Sequence, residues 1–226
     1  MEAKDLLTKI PLFQTLTPED LEDLAGLLRF QKVRAGEVLF RKGSEGTTLY
    51  IIQKGCVKIV LPSRLGDEMI ITLFTAGEFF GELSILDGMP RSADAVAVEP
   101  TELLLLSRND FLHFLKKNDA AMQDILGCLS ARLRKTDDLL EDSSFLNIPA
   151  RFAKKIIQLG EMFGKKDGNT MEIHLRLTQK DLADMVGATR ESINKELRVL
   201  REKNIIYTDG KVLRINDVAR LSRRIR

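Results

Sequence analysis

The spacing of hydrophobic positions changes along this chain, and the first long pattern is that of a sheet. Between residues 30 and 106, short β-rich runs alternate with glycines and other turn residues, which is typical of strands joined by tight turns. The runs cover residues 37–40, 49–52, 57–61, 69–74 and 103–106. Several short strands at this spacing predict an antiparallel barrel or sandwich.

Helical periodicity flanks this region on both sides. Residues 5–28 read as short helices, and Thr17 can cap one that begins at Pro18. After Pro100 the pattern becomes helical again, and residues 119 to about 143 form the longest predicted helix. Its apolar stripe alternates steps of four and three residues, as in a coiled coil, through Met122, Leu126, Leu129, Leu133, Thr136 and Leu140. The stripe predicts a symmetric dimer, although a helix packed on its own domain is the alternative.

The last third of the chain combines an amphipathic helix at residues 149–163 with signals for several strands. A turn is expected at residues 165–169, and an alternating strand at residues 172–177. Near the C-terminus, Asp209-Gly210 separates two alternating runs, which is a strong signal for a two-residue hairpin. Lys211 would lie at the tip of this hairpin, which we interpret as a wing.

Between these strands lie two short predicted helices around a glycine turn. Thr178 and Asp181 resemble a capping box, Gly187 supplies the turn, and Thr189 can cap the second helix. Inward-facing positions are predicted at Leu182, Ala183, Val186, Ile193, Leu197 and Leu200. This arrangement is typical of a helix-turn-helix, whose second helix can lie in the major groove of DNA. A helical hairpin that does not contact DNA is the alternative.

Charge is distributed unevenly over the chain. Residues 1–147 carry 17 Lys and Arg against 23 Asp and Glu, whereas residues 148–226 carry 18 against 10. The formal net charge of +2 therefore hides an acidic first part and a basic last part. A basic last part indicates contact with a polyanion, although such residues can also merely keep a small domain in solution.

Composition disfavours several other classes of protein. The only two cysteines, Cys56 and Cys128, cannot form a disulfide scaffold or a four-cysteine metal site, and neither histidine has a ligand-type residue at metal-binding spacing. No signal peptide is apparent, and no apolar run is long enough for a membrane span. We therefore expect a cytoplasmic protein with no membrane partner, no metal and no catalytic residues, since no nucleophile–base pattern points to an enzyme.

One segment in the sheet region does not fit a simple meander of strands. Residues 79–93 contain a glycine, then about one helical turn, and then a proline beside Arg91. A glycine lets a ligand approach the backbone, a helix N-terminus offers N–H donors to phosphate, and an arginine can bind phosphate oxygens in a fork. The segment predicts an anion-binding site, unless Glu82 and Arg91 simply pair with each other within a turn.

These residues carry a resemblance to a known family. Residues 36–55, Phe80-Gly81-Glu82-Leu83-Ser84 and Pro90-Arg91-Ser92-Ala93 resemble the cyclic-nucleotide-binding domain of the catabolite activator, or cyclic-AMP receptor, family. The resemblance continues through the helix-turn-helix and implies an α+β fold class. Its expected parts are an antiparallel β-barrel domain of jelly-roll type (residues 1–118), a dimerisation helix and hinge (residues 119–147) and a winged helix-turn-helix domain (residues 148–226).

The resemblance also implies the residues of a nucleotide site. Glu82 would hold the ribose 2′-hydroxyl, and Arg91 and Ser92 would hold the cyclic phosphate. Gly81 and Leu83 would contribute backbone groups.

Three further positions bear on which nucleotide would bind. One of them favours an adenine base, and the other two depart from the family pattern. Thr136 would contact the adenine amino group, which favours cyclic AMP. Asp137 replaces the neutral hydroxyl residue usual in the family. Asp94 stands where many relatives carry a small or hydroxyl residue, so it could perturb the far end of the segment.

For the DNA interface, the resemblance implies base-reading and phosphate-binding residues. Arg190 would form a fork onto guanine, and Glu191 would accept from a cytosine amino group. Lys195 takes the place of a second arginine and would read its base less strictly, because an ammonium lacks the fork. Candidate phosphate contacts, which position the protein without specifying sequence, are Thr178, Gln179, Thr189, Ser192 and Lys211.

Taken together, these features predict a homodimeric transcription regulator, most simply an activator, that binds a palindromic operator in double-stranded DNA. Cyclic AMP would be its allosteric effector, a hinge at residues 145–149 would reorient the DNA-reading domains, and RNA polymerase would be a further partner. Two alternatives keep the nucleotide-binding fold: a regulator with another effector or none, and an interaction protein that does not bind DNA. An enzyme regulated by the first domain is disfavoured, because the remaining residues are too few for a kinase domain.

Overall fold

A computed structural model of the chain describes residues 7, 8, 10, 13, 14, 16–64, 66–208 and 212–225. They fall into two units. The first comprises residues up to 67 and residues 71–135, and the second comprises residues 68–70 and those from 136 onwards. The boundary after residue 135 falls within the longest helix, which therefore contributes to both units.

Among the described residues of the first part of the chain, eight strands form two four-stranded sheets. They are β1 (Arg29–Val33), β2 (Val38–Phe40), β3 (Thr48–Lys54), β4 (Cys56–Pro62), β5 (Glu68–Thr75), β6 (Phe79–Phe80), β7 (Asp94–Ala97) and β8 (Thr101–Ser107). One sheet has the order β1-β8-β3-β6 and the other β2-β7-β4-β5. All five strands predicted from the sequence are present within two residues of their expected limits, and β1, β6 and β7 are additional.

The two sheets pack face to face as a jelly-roll-like sandwich. Their shared core takes Ile52, Phe80 and Leu103 from one sheet and Val57 and Phe74 from the other. The predicted jelly-roll fold class is confirmed. Of the barrel and the sandwich that the strand spacing allowed, the described strands form the sandwich, with two sheets rather than one closed sheet.

Helices cover the outer face of the β1-β8-β3-β6 sheet. Along β3, Ile52 faces the sandwich interior, while Leu49 and Ile51 belong to a second core that includes Leu24 and Phe111. The helices are α1 (Pro18–Leu27), α2 (Glu82–Asp87), α3 (Arg108–Lys117) and α4 (Asp119–Phe145). The Thr17 cap of α1 is confirmed, since its hydroxyl accepts a hydrogen bond from the amide of Asp20 at 3.2 Å.

One side of the long helix α4 packs on the core of the first unit, and another side is exposed. Ala121 and Ile125 are buried in the second core, and Leu129 packs against it. By contrast, four residues of the apolar stripe are exposed, with exposed fractions of 38% for Met122, 57% for Leu126, 64% for Leu133 and 62% for Leu140. Packing within the unit therefore accounts for only part of the stripe.

The second unit contains a four-stranded sheet and helices on the pattern of a winged helix-turn-helix. Its elements are α5 (Ile148–Phe163), β9 (Gly164–Asp167), β10 (Thr170–Ile173), α6 (Gln179–Asp184), α7 (Arg190–Glu202), β11 (Ile206–Thr208), β12 (Leu213–Ile215), α8 (Val218–Ser222) and a final 3₁₀ turn, Arg223–Ile225. The sheet order is β11-β12-β10-β9. The core side chains include Phe152, Ile156, Ile193, Leu200 and Leu221, all fully buried.

Two local predictions in this unit are wrong. The turn expected at residues 165–169 is confined to Gly168 and Asn169, because the polar residues before them form β9, an edge strand paired with β10. The strand expected at residues 172–177 lies instead at Thr170–Ile173, and the chain leaves the sheet at His174. An edge strand with one face in solvent tolerates lysine and aspartate, so its sequence resembles a loop.

The two arms of the predicted wing are present. Strands β11 and β12 pair antiparallel, with Tyr207 opposite Arg214. The turn residues Asp209 and Gly210, and Lys211 beside them, lie outside the described residues. Within the described part of the chain, every helix is too short or too polar to cross a membrane.

Candidate functional site

The segment between β6 and β7 begins with a glycine, and both its backbone conformation and a close neighbour disfavour a side chain there. Gly81 is the N-cap of α2 and has a φ of 86°, a conformation that side chains disfavour. A Cβ atom at this position would also lie 2.6 Å from Nη1 of Arg91. The start of α2, with its free N–H donors, and the Arg91 guanidinium are therefore brought together as an anion site requires.

Arg91 is a buried cation whose hydrogen bonds go to carbonyl oxygens. Its side chain is held by 2.7 Å bonds from Nη1 to the carbonyl of Gly81 and from Nη2 to the carbonyl of Thr48. The guanidinium carbon lies 4.2 Å from the ring centroid of Phe40. The Nε atom is buried and has no hydrogen-bond partner within the described structure. A buried donor without an acceptor costs stability, so this arrangement fits an anionic ligand.

The electrostatics of this cluster point the same way. Burial lowers the pKa of Arg91, while the nearby Tyr50 and Glu82 partly raise it. Burial likewise raises the pKa of Tyr50, against the effect of Arg91. Because arginine keeps its charge under such conditions, the positive charge of Arg91 is incompletely compensated, and a phosphate oxygen would stabilise it.

Glu82 does not pair with Arg91, so that alternative from the sequence is wrong. The carboxylate is 3% exposed, and its Oε1 lies 2.5 Å from Nη1 of Arg132 on α4. Arg132 also donates from Nη2 to the carbonyl of Phe79 at 2.5 Å and lies over the rings of Phe74 and Phe79, 4.6 and 4.7 Å from their centroids. Arg132 is therefore part of the candidate site, although no pattern in the sequence predicted it.

The other candidate residues of the site differ in their placement. Leu83 is 44% exposed, and Ser92 is exposed beside Arg91. Thr136 and Asp137 are exposed on α4, at the start of the second unit. Thr136 follows Arg132 by one helical turn, so both side chains project from the same face of α4.

Asp94, which departs from the family pattern, has its own partners. It is 4% exposed and accepts hydrogen bonds of 2.7 Å from Nη1 of Arg41 and from the amide of Lys42. Its charge is therefore satisfied within the protein.

The second candidate site is the pair of helices α6 and α7. The predicted capping box is confirmed: the Thr178 hydroxyl accepts from the amide of Asp181 at 3.0 Å, and the amide of Thr178 donates to the Asp181 carboxylate at 2.9 Å. Gly187 forms the turn with a φ of 60°. Thr189 caps α7 by accepting from the amide of Ser192 at 3.2 Å.

Helix α7 presents a charged face to solvent. Arg190, Glu191 and Lys195 are exposed, whereas Ile193, Leu197 and Leu200 are buried as predicted. Arg198 is exposed as well, and its spacing of three from Lys195 and seven from Glu191 puts it on the same face. Arg198 was not among the predicted DNA contacts, although this helical spacing identifies it.

Some of the candidate phosphate contacts already form hydrogen bonds at the N-termini of α6 and α7. The Thr178 hydroxyl donates to the Asp181 carboxylate at 2.6 Å, and the Thr189 and Ser192 hydroxyls lie 2.9 Å apart. Gln179 is exposed at the first position of α6. Lys211 lies outside the described residues. These contacts therefore stay predictions, and a phosphate bound by Thr178 would compete with its cap.

An ion pair fixes the inner side of α7. Glu196 is 7% exposed and pairs with Arg224 from the final 3₁₀ turn, whose side chain is largely buried. The C-terminal segment is therefore part of the folded unit and contacts the candidate DNA-reading helix.

Comparison with known proteins matches both halves of the chain. The cyclic nucleotide-binding domain family matches residues 30–118, and the Crp-like helix-turn-helix domain family matches residues 150–224. The CRP-like cAMP-activated global transcriptional regulator of Mycobacterium tuberculosis is 32% identical over 222 residues, which cover 98% of this chain and 99% of that protein. The Cyclic AMP receptor protein of Thermus thermophilus is 30% identical and covers 93% of this chain and 94% of its own.

The fold is also found among solved structures. That of the c-di-GMP responsive global regulator CLP of Xanthomonas campestris superposes with a TM-score of 0.77 at 22% identity. The match covers 88% of this chain and 99% of that one. At this level of identity the likeness supports the fold, and the ligand of CLP is not transferred to this chain.

Proposed function

The chain belongs to the CRP/FNR family of effector-responsive, DNA-binding transcription regulators, and we propose that its effector is cyclic AMP. The relatives in Mycobacterium tuberculosis and Thermus thermophilus are named for cyclic AMP. The Crp-like helix-turn-helix match and the names of these relatives are those of transcription regulators.

The observation that carries this proposal is the buried Arg91 beside the start of α2. Its unpartnered Nε and the free N–H groups of the helix would bind the cyclic phosphate. Ser92, exposed next to Arg91, would add a hydroxyl.

The sugar and the base would be bound by further groups of the same site. Glu82 accepts hydrogen bonds as a carboxylate, and a ribose hydroxyl would share it with Arg132. Gly81 and Leu83 would provide backbone groups, and Thr136 would contact the adenine amino group. Asp137 beside Thr136 adds an acceptor that an amino group could also use.

We infer that the active protein is a homodimer joined through α4. Met122, Leu126, Leu133 and Leu140 form a stripe of exposed apolar side chains with coiled-coil spacing. Such a stripe is stabilised when it is covered by a second copy of the same helix.

A two-fold symmetric dimer would read a palindromic operator through α7. Arg190 and Lys195 would bind guanine, and Glu191 would accept from cytosine. Gln179, Thr189 and Ser192 would bind phosphates, and so would Thr178 and Lys211. As an activator, the bound dimer would then contact RNA polymerase.

Coupling between the two sites would run along α4. Cyclic AMP can activate only if it binds the DNA-competent arrangement more tightly than the inactive one. Near the end of α4, Asp142 Oδ1 lies 2.6 Å from Nζ of Lys154 on α5, and Arg151 donates to the carbonyl of Ser143 at 3.2 Å. A hinge motion at residues 145–149 would have to break these contacts.

Titration calorimetry and DNA selection test the proposal together. We expect heat from cyclic AMP, less from cyclic GMP, and enrichment of a palindrome only when cyclic AMP is present. Arg91→Ala is expected to remove the heat while leaving residual non-specific binding that weakens steeply with salt. Absence of heat from either nucleotide, together with tight operator binding by the ligand-free protein, would contradict the proposal.

A regulator that needs no small molecule is the second candidate, and one observation favours it. Glu82 is already paired with Arg132, so that carboxylate is satisfied without a ligand. This version of the function predicts equal operator affinity with and without nucleotide, which the same selection experiment measures.

A further inference from the structure

We propose that Asp94 and Arg41 are positioning residues for the phosphate-binding arm of the nucleotide site, defined as residues 91–94. The inference rests on the proposed function, because it concerns how Arg91 is held for a cyclic phosphate. Asp94 is a buried carboxylate whose two oxygens accept different donors, Oδ2 from Nη1 of Arg41 and Oδ1 from the amide of Lys42, both at 2.7 Å.

Both donors belong to one loop, residues 41–47, which we name the anchor loop. All of its residues except Gly46 are exposed, so the loop has little apolar burial to hold it in place. Within the loop, the carbonyl of Arg41 accepts from Oγ of Ser44 at 2.7 Å. Polar contacts therefore fix its position, and Asp94 supplies two of them.

The anchor loop in turn holds the main chain of Arg91. The amide of Gly43 donates to the carbonyl of Arg91, and the amide of Arg91 donates to the carbonyl of Ser44, each at 2.8 Å. The loop leads directly into β3, whose first residue, Thr48, accepts from Nη2 of Arg91. The backbone of Arg91 is thus bonded to the anchor loop, and its side chain is bonded to the first residue after that loop.

The position of Arg91 depends on Asp94 through the hydrogen bonds of the anchor loop. Asp94 lies at the end of the arm and bonds to the start of the loop, so arm and loop form a closed ring of hydrogen bonds. Without the Asp94 carboxylate the amide of Lys42 loses its acceptor, and Arg41 loses its only described anionic partner. Arg91 would then sample more positions, and a preorganised ligand site would be loosened.

The test measures binding of cyclic AMP by three variants of the full-length protein. Asp94→Ala and Arg41→Gln remove the ion pair, and Arg41→Lys keeps a positive charge at position 41. Glu37→Ala is the matched control, since the Glu37 carboxylate also accepts a backbone amide, that of Arg34 at 2.9 Å, without bonding to the anchor loop. We expect Asp94→Ala to weaken binding of cyclic AMP about tenfold, because the ligand would then have to order the loosened arm when it binds. Arg41→Gln should have a smaller effect, and Arg41→Lys should largely restore wild-type binding.

Two phosphorothioate diastereomers of cyclic AMP separate positioning from general stability. Each replaces one of the two exocyclic phosphate oxygens by sulfur, so the ratio of their dissociation constants reports the geometry of the phosphate site. A variant that merely lowers the folded fraction weakens both equally and leaves the ratio unchanged. We expect the ratio to move towards one in Asp94→Ala and Arg41→Gln, but not in Glu37→Ala.

Amide hydrogen exchange in the absence of nucleotide makes the test independent of the proposed function. We expect the amides of Gly43 and Arg91 to exchange about tenfold faster in Asp94→Ala, the change that corresponds to about 1.4 kcal/mol. The paired amides of β3 and β8 should keep their rates. Unchanged exchange together with an unchanged diastereomer ratio would overturn the proposal.

The two possible failures are distinguishable. If the wild-type protein binds no cyclic nucleotide, the proposed function fails, and the exchange rates alone decide whether Asp94 positions the arm. If Asp94→Ala does not fold, Arg41→Gln decides the question, because the Arg41 side chain is 64% exposed and its loss leaves the core intact.

Discussion

Three buried charges, Glu82, Arg91 and Asp94, lie close together in the sequence, and each is held by a different part of the protein. Glu82 is paired with Arg132 of α4, Arg91 is held by backbone carbonyls, and Asp94 is held by Arg41. A buried charge is tolerated only when it is paired or hydrogen-bonded. At the scale of single residues, the proposed nucleotide site is therefore built from separate contacts, and each can be tested by one substitution.

Arg190 and Arg198 share the exposed face of α7 but should differ in what they read. Arg190→Ala is expected to cost about 1–3 kcal/mol and to relax the preference at one base pair, because a guanidinium can form a fork onto guanine. Arg198→Ala should lower affinity for all sequences alike and reduce the salt dependence, as a phosphate contact does. Binding to the operator and its single-base variants measures both, and uniform weakening by Arg190→Ala would exclude it as a base reader.

Cys56 is expected to be chemically inert in the native state. Burial raises the pKa of its thiol from 9.0 to about 12, with Glu99 and Glu78 contributing. At pH 8 roughly one molecule in ten thousand would then carry the thiolate that reacts with iodoacetamide. Since the unfolded thiol ionises at lower pH than the folded one, Cys56 also lowers stability as pH rises from 9.0 towards about 12.

Peptide mass mapping after alkylation checks this expectation. Cys56 should stay unmodified in the native protein at pH 8 and react readily after unfolding in guanidinium. Rapid labelling of native Cys56 would show that the strand opens or that the thiol is not buried.

At the scale of helices and strands, local chemistry was the most predictable part of the structure. The Thr17, Thr178 and Thr189 caps all act through residues three positions away, so the sequence shows both partners. Strand β6 has only two residues, too few for any periodicity, and β9 is polar because it lies at an edge. Both strands were missed because pairing with a neighbouring strand, rather than a pattern in their own sequence, defines them.

Contacts between distant elements could not be predicted in the same way. Arg132 pairs with Glu82 across 50 positions, and Arg41 pairs with Asp94 across 53. No periodic pattern links such positions, and the family resemblance marked Glu82 but not its partner. The identity of the cluster was therefore predictable, while the way its charges are satisfied required the fold.

The ion pair between Glu196 and Arg224 should hold α7 in its reading position. Breaking a largely buried pair leaves the other charge uncompensated, so Glu196→Gln and Arg224→Gln are each expected to cost about 1–3 kcal/mol of stability and to weaken DNA binding. The double variant should be no worse than either single one.

Urea unfolding and operator binding of the three variants measure this coupling. Arg220→Gln, an exposed arginine on the preceding helix, serves as the control and should leave both unchanged. Additive effects of Glu196→Gln and Arg224→Gln would show that the two side chains act independently.

At the scale of the whole molecule, α4 is the element that both units share. Its first part bears Arg132, which pairs with Glu82 in the first unit, and its last turns are bonded to α5 within the second unit. The same helix bears the exposed apolar stripe that we assign to the dimer.

Replacing Leu126 and Leu133 by aspartate should therefore convert the dimer to a monomer. Burial of one leucine contributes about 1.5–3 kcal/mol, and two apposed pairs of carboxylates would repel each other. Light scattering coupled to gel filtration measures the mass, and palindrome binding should be lost with the dimer. Ala131→Asp, on the opposite face of α4, is the control, and a variant that stays dimeric would place the interface elsewhere.

The ion pair between Arg132 and Glu82 would affect how much nucleotide the regulator needs before it responds. A nucleotide that engages Glu82 would have to compete with a bond that already exists inside the protein, so the strength of that bond helps to set the concentration at which the regulator responds. Substitution of Arg132 could then shift this threshold while the groups that recognise phosphate stay as they are. Related regulators could in this way be tuned to different nucleotide levels in different cells.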